Sequence, residues 1–165
     1  MSVISAHPDL MSPWKEFSEQ APDLAQAIAA RLQAHKHHVL ATLRRDGSPR
    51  VSGTEVEIVD GRLVLGSMPG ARKARDLQRD PRYALHSNPG HHSMTGGDAK
   101  VRGRARELHD DVKAAVLAAY PEEVPPGPMH LFELDLAEAV LTTVDEEHLY
   151  VDLWRPGAAV ERFVR

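Results

Sequence analysis

The stretch HVLATLRRDGSPRVSGTEVEIVDGRLVLGS, residues 38–67, decides the fold of this chain. Two Asp-Gly pairs, Asp46-Gly47 and Asp60-Gly61, divide it into three runs that are rich in apolar and β-branched residues. These runs cover residues 38–44, 50–59 and 62–67. Asp-Gly is typical of the tight turn of a β-hairpin, and connections this short cannot hold the crossover that parallel neighbours need. The stretch therefore predicts three antiparallel strands in a meander.

The rest of the chain adds strands to this meander and places helices around it. Apolar residues recur at a four-residue step between residues 23 and 36, which predicts a helix with Asp23 as its N-cap. Shorter helices are expected over residues 70–79 and 112–120, the second capped by Asp110 or Asp111. Further strands are expected over residues 82–88, 98–108, 129–144 (one or two strands) and 148–155, with loops over 89–97 and 121–128. The sum is a mainly β fold with peripheral helices, a six- to seven-stranded antiparallel barrel.

Composition and charge describe one globular domain and exclude several classes of protein. The chain has 165 residues, of which 42% are apolar and 27% charged. No stretch approaches the roughly 18 apolar residues of a membrane span, and no secretory signal is expected. The chain has no cysteine, which excludes disulfides and thiolate metal sites and makes a cytoplasmic location the expectation. The net charge of −4 argues against a nucleic-acid partner.

Residues 1–22 are predicted to lie outside this domain. They contain three prolines and show little periodicity, so we expect an irregular N-terminal arm. A single domain is then expected over residues 23–165.

A cluster of cations at the start of the second predicted helix is the strongest candidate for a binding site. Five basic and two acidic residues fall between Arg72 and Arg82. Arg72 and Lys73 stand in the first helical turn, where unpaired N–H groups and the helix dipole favour an anion. Ser67, at the end of the preceding strand, adds a hydroxyl donor, and Arg50 adds a guanidinium fork. The pattern predicts a site for a small phosphate monoester; the alternative is a solvated helix face without a ligand.

The order of these pieces resembles the pyridoxamine 5′-phosphate oxidase-like FMN-binding split-barrel superfamily. The shared pattern covers residues 39–106. It runs from Asp46-Gly-Ser-Pro-Arg50, through a strand ending in Gly66-Ser67, to the helix that starts at Arg72-Lys73. The resemblance implies a Greek-key split barrel that assembles as a homodimer, with FMN (flavin mononucleotide) in a groove between the two subunits.

The resemblance also implies which residues hold the cofactor. The flavin phosphate is expected at Arg50, Arg72 and Lys73, and backbone and hydroxyl groups of neighbouring strands are expected to complete the site. Asp98 stands at the position of a glutamine that faces the pyrimidine edge of the flavin ring in the oxidases. The full set is Arg50, Val51, Ser52, Gly66, Ser67, Arg72, Lys73 and Asp98.

Three departures from the oxidase pattern mark a divergent member. Glu55 stands where the oxidases often carry lysine, and Ala71 replaces the first residue of the usual Ser-Arg-Lys. The chain also lacks the Arg-x-His motif and the longer C-terminal segment with which the oxidases bind pyridoxamine phosphate. The chain is therefore not expected to be that enzyme.

Three functions are consistent with these residues. The first is an FMN-dependent oxidoreductase that transfers hydride or electrons to a small-molecule substrate. The second is a reductase on the same fold that uses a deazaflavin coenzyme. The third is a non-enzymatic flavin- or haem-binding module. No side chain is singled out as a catalytic acid, base or nucleophile, and no metal site is expected.

Other features admit two interpretations each. Trp154 is interpreted as a core or dimer-contact residue, and His86 as a hydrogen-bonded, partly buried histidine. Four cations share one face of the strand predicted over residues 98–108, either as a wall beside the cofactor or as a solvated surface: Lys100, Arg102, Arg104 and Arg106.

Overall fold

The structure, a computed structural model, describes residues 10–165 and contains four helices and nine strands in that range. The helices are α1 (Trp14–Gln20), α2 (Pro22–Ala34), α3 (Arg72–Arg79) and α4 (Asp110–Ala118). The strands are β1 (His38–Leu43), β2 (Pro49–Thr54), β3 (Val56–Val59), β4 (Arg62–Ser67), β5 (Arg82–His86), β6 (Asp98–Glu107), β7 (His130–Val144), β8 (Leu149–Trp154) and β9 (Glu161–Val164). None of these helices has the length and apolar character needed to cross a bilayer.

The strands form a single antiparallel sheet that curls into a split barrel. Seven strands follow the order β2-β1-β5-β6-β7-β4-β3, and β8 pairs with β7 and with β9. β5, β6 and β7 are consecutive neighbours, whereas β4 lies beside β7, which is a Greek-key arrangement. β2 and β3 stand at the two ends of the order, yet Glu55 alone separates them in the chain. The antiparallel split barrel expected from the sequence is confirmed.

The strand count and the simple meander are corrected by the structure. The predicted strand over residues 50–59 breaks at Glu55, so its halves pair with different neighbours: β2 with β1, and β3 with β4. Both Asp-Gly hairpins are present, but they lie at opposite ends of the strand order. The segment Glu161–Val164 adds a strand that the sequence analysis missed, because all four residues are exposed and show no apolar alternation. Nine strands within residues 10–165 therefore replace the expected six or seven.

The prediction of an irregular arm over residues 1–22 is wrong for residues 14–20, which form α1 and pack into the core. Trp14 and Phe17 are buried, and their rings meet edge to face with centroids 5.2 Å apart. Phe17 also lies 4.6 Å from Trp154 of β8, which is fully buried, so the core interpretation of that tryptophan is confirmed. Two of the prolines initiate helices, at the N-cap of α1 and the first position of α2, where a missing N–H costs nothing. Residues 1–9 lie outside the described residues.

Two predicted helix caps are also wrong. The N-cap of α2 is Ala21 and the N-cap of α4 is His109, and neither helix has a side-chain cap hydrogen bond. Asp23, Asp110 and Asp111 lie within the first turns instead. Their negative charges interact favourably with the positive end of the helix dipole, but their carboxylates accept no capping hydrogen bond.

One glycine sets the approach of the two longest strands. A Cβ at Gly103 of β6 would lie 1.9 Å from the carbonyl oxygen of Asp135 in β7. The pairing register shifts between Arg102 and Gly103, as at a β-bulge. Only a residue without a side chain lets the strands meet here, and the bulge bends β6 and β7 around the barrel.

Candidate functional site

A basic cavity of about 660 Å³ opens between the β1–β2 hairpin and α3. We call it the arginine cavity, because six guanidinium groups and only two carboxylates line it. Its lining residues are Arg44, Arg45, Asp46, Arg50, Gly70, Arg72, Arg75, Asp76 and Arg79. The formal charge of this lining is six positive against two negative, +4 in total, on a chain whose net charge is −4.

Helical spacing and a tight turn create this concentration of charge. Arg72, Arg75 and Arg79 follow the i, i+3, i+7 pattern and therefore share one face of α3. The β1–β2 turn presents Arg44 and Arg45 from the opposite wall. The chain reaches α3 through Gly70, whose φ of 71° is a left-handed conformation that favours glycine.

Asp76 is the buried centre of this cavity wall. Its side chain is 3% exposed, and it accepts hydrogen bonds from Thr42 Oγ1 at 2.8 Å, from Arg50 Nε at 2.6 Å and from Arg79 Nη2 at 3.0 Å. Burial by itself raises the pKa of the Asp76 carboxyl. The three hydrogen bonds outweigh burial, so the pKa of this group lies below its ordinary value and the carboxylate stays charged.

The predicted phosphate ligands divide between two sides of α3. Arg72 lines the arginine cavity, and so does Arg50, although Arg50 Nε is held by Asp76. Lys73 lies on the other side, where its Nζ donates to the carbonyl of Gly53 in β2 at 2.8 Å. Burial lowers the pKa of the Lys73 ammonium, opposed by the nearby Glu55 carboxylate.

The predicted residues on the strands flank this region. Ser67 is buried at the end of β4, and its Oγ has no hydrogen-bond partner among the described residues. Buried hydroxyl groups are normally paired, so this one is available to a ligand. Gly66 precedes it, and a Cβ there would lie 2.9 Å from Met129 Cε. Ser52 is half-buried opposite Leu40 of β1.

An apolar groove of about 380 Å³ lies beside the arginine cavity on the outer face of the barrel. Its floor is set by strand register, because Ala41 of β1 lies between Val51 of β2 and Ala84 of β5. Val51 is 70% exposed and directly follows Arg50 of the arginine cavity. The groove is lined by Val39, Ala41, Ala84, Leu85, His86, Lys100, Val101, Arg102, Glu138 and Val140. A cationic, anion-binding cavity thus adjoins a surface suited to a flat apolar group.

Asp98 lies at the edge of this groove and not in the arginine cavity. Its Oδ1 is buried without a partner among the described residues, and its Oδ2 is 3.9 Å from Nε2 of His86. Nδ1 of His86 donates to the carbonyl oxygen of Ser87 at 2.5 Å, so Nε2 is the ring nitrogen that this hydrogen bond leaves unused. The interpretation of His86 as a hydrogen-bonded, partly buried residue is confirmed.

The cations predicted to share one face of β6 have different environments. Lys100 and Arg102 line the apolar groove, and Arg102 also pairs with Glu138 of β7 at 3.4 Å. Arg106 pairs with the buried carboxylate of Glu133 at 2.8 Å. The face is therefore part groove wall and part ion-pair network.

Sequence reasoning missed the histidine that supports the turn before α3. The N–H of Gly70 donates to Nε2 of His130 at 3.3 Å, and Nδ1 of His130 lies 2.6 Å from Glu107 Oε1. Gln78 Nε2 donates to the other oxygen of Glu107 at 2.9 Å. Burial raises the pKa of the Glu107 carboxyl, and these hydrogen bonds bring it below its ordinary value. The β4–β7 and β6–β7 pairings bring Gly70, Glu107 and His130 together, and no short sequence motif predicts their contact.

Solved structures with the same fold cover most of this chain. A pyridoxamine 5′-phosphate oxidase-related, FMN-binding protein from Nostoc punctiforme matches with a TM-score of 0.64 and 14% identity, over 88% of this chain and 95% of that one. PhzG from Burkholderia lata, in complex with tetrahydrophenazine-1-carboxylic acid, matches with a TM-score of 0.59 and 18% identity, over 100% and 99%. A heme binding protein from Mycobacterium smegmatis matches with a TM-score of 0.56 and 20% identity over 83% of this chain, which spans 57% of that protein's length.

Identities this low establish the fold alone. Comparison with curated protein sequences gave no match. The sequence profile of the pyridoxamine 5′-phosphate oxidase family matches residues 24–147, about three quarters of the chain. That range contains every residue that lines the arginine cavity and the apolar groove. The chain belongs to the pyridoxamine 5′-phosphate oxidase-like family, as a divergent member.

Proposed function

We propose that the chain binds FMN, with the phosphate in the arginine cavity and the ring over the apolar groove, and acts as an oxidoreductase on a small-molecule substrate. The observation that carries this proposal is the arginine cavity itself. A phosphate monoester brings a charge of about −1.5 to −2 at neutral pH, and the cavity offers it an excess of guanidinium groups. Membership of the family and the FMN-binding relative from Nostoc support the choice of flavin.

The residues of the arginine cavity fit a phosphate energetically. A hydrogen bond to a charged group contributes about 1.5–3 kcal/mol. Three such bonds from arginine forks give about 5–9 kcal/mol, and a dissociation constant of 1 μM corresponds to about −8 kcal/mol. The unpaired Oγ of Ser67, one residue beyond Gly66, supplies a further donor close to the start of α3.

The redox chemistry in this proposal belongs to the flavin, which supplies the atom that accepts or gives up hydride. The chain contributes binding and orientation. The apolar floor around Ala41 and Ala84 holds a ring away from water. Asp98 Oδ1 is an unpaired acceptor at the groove edge, and it fits a ring N–H. None of these side chains is assigned a proton transfer.

We further propose that a second copy of the chain covers the groove. Val51 of β2 and Met68, which directly follows β4, are 70% and 77% exposed, and the exposed Val39 lines the groove itself. Exposed apolar side chains around a ligand groove are typical of a surface that a partner completes. The proposed site therefore lies between the two subunits of a homodimer.

Haem is the second candidate ligand, and His86 is the observation that favours it. This histidine stands in the wall of the apolar groove with its Nδ1 occupied by Ser87, so Nε2 is the nitrogen left for a metal. Lys100 lies in the same wall and suits a propionate. The relative from Mycobacterium smegmatis is a heme binding protein.

Parallel titrations of purified protein with FMN, riboflavin, the deazaflavin coenzyme and haem test these assignments. We expect FMN to bind at micromolar or lower concentration. Riboflavin, which lacks the phosphate, is expected to bind at least about 100-fold more weakly, since two charge-assisted bonds are lost. Equal affinity for FMN and riboflavin would remove the arginine cavity from the proposal. A Soret band with haem that is lost in His86→Ala, together with no flavin binding, would favour the second candidate.

Enzymatic activity needs a separate measurement. The flavin-loaded protein is reduced in the absence of oxygen and mixed with candidate acceptors. Reoxidation faster than that of free reduced FMN supports an oxidoreductase. Identical rates for bound and free flavin would indicate a binding module.

A further inference from the structure

The arginine cavity holds more positive charge than one phosphate monoester neutralises. We propose that its ligand carries two adjacent phosphate groups, as in a dinucleotide cofactor. This inference rests on the proposed function, because it places the second phosphate beside the one assigned to the flavin.

The excess follows from counting which cations are already paired. Arg50 and Arg79 share the carboxylate of Asp76. The other carboxylate of the cavity, Asp46, accepts bonds from the backbone N–H and the hydroxyl of Ser48 at 3.0 and 2.6 Å. Within residues 10–165, no carboxylate lies within 4.0 Å of the remaining four arginines of the cavity, which are Arg44, Arg45, Arg72 and Arg75. The Asp46 carboxyl, whose pKa is lowered by the hydrogen bonds from Ser48, also feels the charge of Arg44 from a longer distance.

The four unpaired guanidinium groups form two pairs on facing elements. Arg72 and Arg75 are one turn apart on α3, and Arg44 and Arg45 are consecutive at the β1–β2 turn. Each guanidinium presents a planar fork that matches phosphate oxygens two at a time. One phosphate engages the helix pair, and the hairpin pair then faces the next anionic group along the ligand.

Charge and size agree with a diphosphate. One phosphate carries about −1.5 to −2, and a second linked phosphate roughly doubles the negative charge, which approaches the four unpaired cations. The cavity volume of about 660 Å³ lies in the range of a cofactor-sized site, well beyond one phosphate. Without an anion the four like charges repel one another, so the free protein is destabilised relative to the bound one.

A nucleic-acid backbone is the competing source of paired phosphates. Such a backbone carries one negative charge every few ångströms along an extended line, so a protein that binds it needs an extended stripe of basic residues. Here the positive charge is confined to one cavity of a chain with net charge −4. A small diphosphate fits this distribution better.

Inorganic pyrophosphate and phosphate, compared without flavin, test the inference directly. Both are titrated at matched ionic strength, and binding is followed by the rise in melting temperature, which depends on the ratio of ligand concentration to Kd. We expect Kd for pyrophosphate to be at least tenfold lower than Kd for phosphate. Equal Kd values for the two anions would overturn the inference, and so would tighter binding of a single-stranded oligonucleotide than of pyrophosphate.

A double variant assigns the second phosphate to the hairpin. Arg44→Gln/Arg45→Gln is expected to abolish the tenfold preference for pyrophosphate over phosphate, because the hairpin then offers no cation to the second phosphate. The control Arg104→Gln/Arg165→Gln removes the same charge outside the cavity and is expected to keep the preference. Circular dichroism confirms folding of each variant. If the hairpin variant still prefers pyrophosphate to phosphate by tenfold, the assignment of the second phosphate to the hairpin is contradicted.

Flavins then separate this inference from the proposed function. FAD is expected to displace FMN and to bind more tightly than FMN, with the advantage lost in the hairpin variant. Binding of FMN with no gain for FAD, together with no preference for pyrophosphate, contradicts the inference and leaves the proposed function standing. If neither flavin binds but the pyrophosphate preference is found, the proposed function fails and the diphosphate site stands.

Discussion

Replacement of Asp76 by alanine tests the electrostatic design of the arginine cavity. The carboxylate is buried and accepts three hydrogen bonds, two of them from guanidinium groups. Removing one partner of a buried ion pair costs about 3–5 kcal/mol. The side chains of Arg50 and Arg79 are 18% and 34% exposed, so water compensates part of the loss and the lower end of that range applies. The orphaned hydroxyl of Thr42 adds about 1 kcal/mol. We expect Asp76→Ala to lower the free energy of unfolding by about 3–4 kcal/mol.

Urea denaturation followed by circular dichroism measures this loss. The control is Asp80→Ala, which removes a more exposed carboxylate that pairs with Arg82 at the end of the same helix. Exposed ion pairs contribute about 0–1 kcal/mol, so the control is expected to unfold within about 1 kcal/mol of the wild type. A loss below about 1 kcal/mol for Asp76→Ala would refute the argument that the buried carboxylate holds the two arginines in place.

The same variant has a pH signature with a definite sign. The pKa of Asp76 is lower in the folded protein than its ordinary value of about 3.9. A depressed folded pKa contributes stability at pH above the unfolded pKa, and the contribution is lost as the pH falls through the folded pKa. The stability difference between wild type and variant is therefore expected to stay constant from about pH 5 to 8 and to shrink below about pH 4. The variant also frees Arg50 and Arg79, so its affinity for phosphate is expected to rise while its stability falls.

The other predictions concern the cofactor, the barrel and the assembly. Arg72→Ala/Arg75→Ala is expected to weaken FMN binding by at least about 3 kcal/mol, measured by flavin fluorescence, because two charge-assisted bonds from the cavity face of α3 are lost; unchanged affinity contradicts the phosphate assignment. Gly103→Ala is expected to destabilise the fold by about 1–3 kcal/mol or more, since its Cβ would overlap the carbonyl of Asp135; urea denaturation with the same midpoint as the wild type contradicts this. Native mass spectrometry is expected to give about 36 kDa, twice the 18.2 kDa of one chain, and a monomer with cofactor bound would contradict the shared groove.

Local signals in the sequence predicted most of the barrel. The Asp-Gly turns marked both hairpins, and the step between Arg72 and Arg79 marked α3, because turns and helix faces depend on residues close together in the chain. The bend at Glu55 depends on which neighbour each half of the strand finds, so the sequence pattern showed one continuous run. The strand β9 shows no alternation of apolar and polar residues, because all of its residues are exposed and none has to pack against the core.

The candidate site was predicted in part for a similar reason. Arg50 and Arg72 were expected together, and both line the arginine cavity. The roles of Asp76, Glu107 and His130 were missed, because they arise from contacts between residues that lie 23 or more positions apart in the chain. The sequence also did not predict that Lys73 faces away from the cavity that Arg72 lines. Successive residues of a helix point about 100° apart, so two adjacent basic residues need not face the same ligand.

The break at Glu55 also leaves a seam in the barrel wall. β2 pairs only with β1, and β3 pairs only with β4, so the two end strands keep one backbone edge without a ladder. The barrel can widen along this seam without breaking a strand pair, and Arg50 and Val51 lie on the strand that borders it. Amide hydrogens on these two edges should exchange faster than those of β6 and β7 in the same molecule. The barrel is therefore expected to be softer at this seam, which borders the arginine cavity through Arg50, than at β6 and β7, which carry the apolar groove.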